Sequence, residues 1–139
     1  MNADAWNQLA DHGRVLVHYV SRLMGALAEP APSHDPLALG AIAAETAVTL
    51  GALLAAMTAA PELAAHVRTL QRFDTALAAW RGSVADASPV AQRYQTALLQ
   101  LAAPAVTSGL HVAALATSES ARVHVARSGA GGRASPSPP

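Results

Sequence analysis

The chain has 139 residues, nine arginines against nine carboxylates, and neither lysine nor cysteine. That length suits one domain with a core of its own, and the absence of thiols excludes cysteine catalysis and cysteine-held zinc or iron–sulfur centres. The balanced charge leaves no basic footprint for nucleic acid, and the opening Asn2, Asp4 and Asn7, with no basic stretch before an apolar run, does not read as a secretory leader; a cytoplasmic protein is the expectation.

A first helix is expected over 3–28. Trp6, Leu9, Gly13, Leu16, Val20, Leu23 and Leu27 recur at alternating steps of three and four, the pattern of a bundle seam, while Asn7, Asp11, Arg14, His18 and Ser21 face water. Asp35-Pro36 then opens a second helix, with Asp35 placed to cap free amides and Pro36 at the first helical position, where its missing N–H costs nothing. From Pro36 to Ala60 this segment holds one charged side chain, Glu45. Leu39, Ile42, Leu50, Leu53, Leu54 and Met57 form a bulky side, and Gly40, Ala44, Ala47, Gly51 and Ala55 form a nearly smooth strip opposite. A helix apolar all round must be covered all round, so this one is expected at the centre of a helical assembly, or in a membrane.

Pro61 opens a third helix to about Arg81, with Leu63, Val67, Leu70, Leu77 and Trp80 inward and Arg68, Arg72 and Thr75 outward; Trp80 reads as a core anchor and Gly82 as the C-cap. A fourth helix is expected from Pro89 to about Val125, with Tyr94, Leu98, Leu101 and Ala105 on one face and a kink or break at Pro104. Unbroken, it would be about 55 Å long against roughly 30 to 39 Å for the others, and the uncharged stretch 105–118 would need cover, either by folding back as a fifth helix or from a second subunit. The glycine, serine and proline of 128–139 read as a disordered tail, which leaves residues 1–127 as a single domain. The fold class is therefore all-α: an antiparallel up-down bundle of four to five helices.

If the helices alternate through short loops, residues equally distant from the turns share a height. Tyr19, Glu45, Asp74 and Tyr94 then form an internal polar layer, in which two carboxylates in a dry core would raise at least one pKa or require a donor. Such a layer serves register in bundles, or acid/base chemistry. The six histidines contain no His-Glu-x-x-His or paired Glu-x-x-His arrangement, so no metal or cofactor is expected; Glu62 and His66, at i, i+4, suit a surface ion pair. No nucleophile elbow or phosphate loop is present. The expected function is a non-enzymatic interaction or scaffold protein, homodimeric through the strip Gly40, Ala44, Ala47, Gly51 and Ala55. The alternatives are a small-ligand-binding or enzymatic bundle using the internal acids and tyrosines, and a small membrane protein with two helical spans.

Overall fold

A computed structural model describes residues 1–30 and 33–133, with side chains through Ser128. The chain is all-helical: α1 (Ala3–Ala28), α2 (Pro36–Met57), a single 3-10 turn (Pro61–Leu63), α3 (Ala64–Ala85) and α4 (Ala91–Arg133). α1 packs on α2 and α4, and α3 packs on the same two helices. One apolar core results, centred on Leu9, Leu16, Leu23, Leu50, Leu53, Leu70, Phe73, Leu77 and Leu98.

Local signals set most of the boundaries. Asn2 caps α1 through its side-chain oxygen, which accepts from the Ala5 amide at 2.8 Å, and every member of the α1 seam is buried. Asp35 accepts from the amides of Leu37 and Ala38 at 3.0 and 3.4 Å, with Pro36 at the first position of α2. At the other end of α3 the expected glycine cap is displaced. Gly82 lies inside the last turn, and the left-handed position belongs to Ala87, at φ 50°. The Ser88 amide donates to the Ser83 carbonyl at 2.8 Å and the Ala87 amide to Val84 at 3.1 Å, the paired bonds of a Schellman ending. Alanine tolerates that conformation less well than glycine would, yet the two hydrogen bonds hold it there.

Three further expectations are corrected. The apolar stripe of α3 runs Leu70, Phe73, Leu77, Trp80, with Phe73 fully buried, and Asp74, expected inside the bundle, is half-buried at its rim because Phe73 takes the inward position. α4 crosses Pro104 without interruption, so the described residues after it form no separate helix. Pro104 is exposed while Ala102, Ala105 and Ser108 beside it are buried, and the carbonyl it deprives of a partner lies on the watered side of the helix. Uncovering of the segment after Pro104 is avoided by α1: Ser120 Oγ donates to the Ala3 carbonyl at 3.2 Å, and Arg14 Nη2 donates to Thr117 Oγ1 at 2.9 Å. α4 then continues to Arg133, six residues into the stretch read as tail, and residues 134–139 lie outside the described ones.

The third correction concerns α2, which lies at the periphery of the chain. Leu50, Leu53 and Met57 are fully buried and Ala43, Thr46 and Thr49 join them, but Leu37 is 87% and Val48 70% exposed. Thr46 tolerates burial because its hydroxyl donates to the Ile42 carbonyl at 2.7 Å. Two neighbouring helices cover only one side of a rod, so the remaining apolar side stays open.

Candidate functional site

The closest helix approach in the molecule is between α1 and α4. A Cβ at Gly13 would lie 3.0 Å from the Gly109 carbonyl oxygen and 3.3 Å from Ala113 Cβ, and one at Gly109 would lie 2.9 Å from Val17 Cγ2. The glycines that bring two backbones together are therefore these, and the strip on α2 is left free. Gly40, Gly51 and Ala55 are exposed, Ala44 and Ala47 half-buried, and a Cβ at Gly40 or Gly51 would meet nothing within 4 Å. Together with Leu37, Ala41 and Val48 they make an open face along α2 whose single charge is Glu45. α2 and the Ala91–Ser128 part of α4 are also long and apolar enough to cross a membrane.

The four residues expected in an internal polar layer are not enclosed together. Tyr19 and Glu45 both line one shallow depression between α1 and α2, with Arg22, Ala38, Ala41 and Ile42. Tyr94, 39% exposed, instead faces a groove between α3 and α4 shared with Arg68, Arg72 and Thr75, and half-buried Asp74 has no side-chain hydrogen bond among the described residues. The cause is the rotation of α2: its bulky side faces the core, which turns Glu45 outward.

Two constellations appear that helix-by-helix reading does not find. The first is on α3 and α4, where His66 Nδ1 and the buried Ser108 Oγ are 3.0 Å apart and the rings of His66 and His111 meet edge to face at 5.6 Å between centroids. Burial pushes the His66 pKa below its usual value and the neighbouring His111 pushes it further down. His66 is thus turned toward α4, and no ion pair joins it to Glu62 among the described residues. Its partners lie more than forty residues away in sequence, a separation that carries no helical signature. Among the described residues no three metal-ligating side chains cluster.

The second is a cavity of about 370 Å³ at the end of the molecule where the α1–α2 and α3–α4 connections lie. Leu27, Leu39, Ala43, Trp80 and Val84 form apolar walls, and His34, Arg81, Gln92 and Gln95 bring polar groups to it. Trp80 is 4% exposed, and its indole N–H has no acceptor among the described residues. The burial of Trp80 was legible in the sequence; the assembly around it draws on all four helices and was not. No protein family model, curated protein or solved structure matches the chain.

Proposed function

We propose that this chain is a non-enzymatic interaction protein of the cytoplasm, an antiparallel up-down four-helix bundle that pairs with a second copy of itself through the outer face of α2. The antiparallel reading is supported by contacts that run in opposite chain directions, Ala3 meeting Ser120 and Gly13 meeting Gly109. The observation that carries the pairing is the open apolar face itself: a helix with one charge in its whole length leaves Leu37 and Val48 in water. Contiguous exposed apolar surface of this kind marks a contact site.

A second copy fits the face because the strip is nearly palindromic in size. Gly40 and Ala55, and likewise Ala44 and Gly51, lie at equal distances on either side of the Ala47–Val48 pair. A two-fold axis at that midpoint sets small residue against small residue and brings each Val48 toward the partner helix, the self-complementarity that an isologous dimer requires. Complete burial of a leucine or valine contributes roughly 1.5–3 kcal/mol, so two copies of Leu37 and Val48 supply roughly 6–12 kcal/mol against an association cost of about 4–15 kcal/mol. The dimer is accordingly a dissociable one.

The test is mass in solution across a dilution series, by light scattering or sedimentation. Wild type is expected to show two subunits at high concentration. Gly51→Leu is expected to give monomer with unchanged helicity, since nothing in the chain stands within 4 Å of the added Cβ. A protein that is monomeric at every concentration, or a dimer indifferent to Gly51→Leu, overturns the pairing, and recovery only in the membrane fraction would assign the face to lipid.

A further inference from the structure

We propose that the end cavity is a binding site for a small apolar monocarboxylate, a use of the molecule beyond the α2 pairing, with which it shares Gly40. Its volume of about 370 Å³ falls within the range of ligand sites, roughly 300–1,000 Å³. At a packing density of about 0.74 it holds roughly ten to fourteen non-hydrogen atoms, the size of a medium-chain acid. The walls define the body of the occupant. Leu27 from α1, Leu39 and Ala43 from α2, and Trp80 and Val84 from α3 present hydrocarbon and an aromatic ring. No carboxylate lines the cavity.

The polar groups define the head. Arg81 follows Trp80 on α3, has no ion-pair partner among the described residues, and lines the cavity, as do Gln92 and Gln95 near the start of α4. A permanent cation in a lining that also holds two side-chain amides and no carboxylate favours an anionic head, and guanidinium matches carboxylate in its planar fork. His34, whose Nε2 lies 2.6 Å from the Glu29 carbonyl, stands at the same opening. Trp80 adds an unpartnered donor next to the cavity wall. Its indole N–H is buried without an acceptor among the described residues, although buried donors are almost always paired. An acceptor-bearing guest that shifts the ring by a small amount can satisfy it.

Decanoate, with twelve non-hydrogen atoms, is the probe, followed by the indole N–H resonances in a two-dimensional NMR titration. The chain has two tryptophans, and Trp80→Phe identifies the Trp80 signal. Saturable binding at one site per chain is expected, with movement of the Trp80 resonance and little change at Trp6. Arg81→Gln, at an exposed position, is expected to weaken decanoate about tenfold, the equivalent of about 1.4 kcal/mol, and Val84→Phe, which fills the cavity from its half-exposed rim, to remove binding. Decanol is expected to bind at least tenfold more weakly than decanoate. Equal affinity for decanol, an unchanged affinity in Arg81→Gln, or no saturable shift of the Trp80 signal overturns the proposal. The mass measurement on Gly51→Leu is unaffected by any of these outcomes, so the pairing and the site fail separately.

Discussion

Replacing Gly13 by alanine sets two effects of known size against each other. In an open helix position the change gains about 1 kcal/mol, because glycine has the greater backbone entropy in the unfolded chain. Gly25, also within α1, is such a position: a Cβ there meets nothing within 4 Å. At Gly13 the added Cβ would lie 3.0 Å from the Gly109 carbonyl oxygen and 3.4 Å from the Ala113 amide nitrogen. Those are backbone atoms of a packed helix and cannot swing aside, so α4 must retreat from α1, and overpacking of this kind costs about 1–3 kcal/mol. Gly13→Ala is therefore expected to be neutral to destabilising by about 2 kcal/mol, where Gly25→Ala stabilises by up to about 1 kcal/mol. Urea unfolding followed by circular dichroism gives both values, and a difference of about 2 kcal/mol separates the melting temperatures by roughly 6–8 °C in a chain of this size. Equal stabilisation by the two substitutions would refute the close crossing of α1 and α4, and with it the cover that α1 provides for the segment after Pro104.

Pro104→Ala tests the continuity of α4 directly: within an unbroken helix the change restores a hydrogen bond and relieves a ring clash, so it is expected to stabilise by about 1–3 kcal/mol, whereas at the first position of a separate fifth helix it would be neutral. His66 makes stability fall in acid. Its folded pKa lies below the ordinary 6.5, so the unfolded chain binds the proton more readily; the contribution of the neutral imidazole is complete above 6.5 and is lost as pH falls toward the lowered folded value. The melting temperature is expected to drop between pH 7.5 and 5.5, and His66→Gln, which keeps a partner for Ser108, to flatten that slope; a parallel profile in the variant would remove His66 as its source.

How much was legible depended on whether a segment carries its own contrast. α1 alternates apolar and polar residues at the helical period, and its buried set, its watered set and both ends agree with the structure. Asp35-Pro36 fixes the start of α2 by chemistry confined to four residues. The polar layer failed for the opposite reason. Heights counted from turns place Tyr19 level with Glu45, and both line one depression, but height says nothing of direction, and direction turned Glu45 and Tyr94 outward.

By itself, then, the amino-acid order determined the all-helical class, the caps of α1 and the start of α2, and the inward side of α1, because propensity, capping and periodicity act over a few neighbouring residues. Tertiary structure decided how much of α2 is covered, since a rod with a single charge carries little signal of where its neighbours stop. It also decided the meeting of Gly13 with Gly109, the pairing of His66 with Ser108 and His111, and the cavity around Trp80. Each of these joins residues from different helices, and the energy that selects them exists only once the helices have packed.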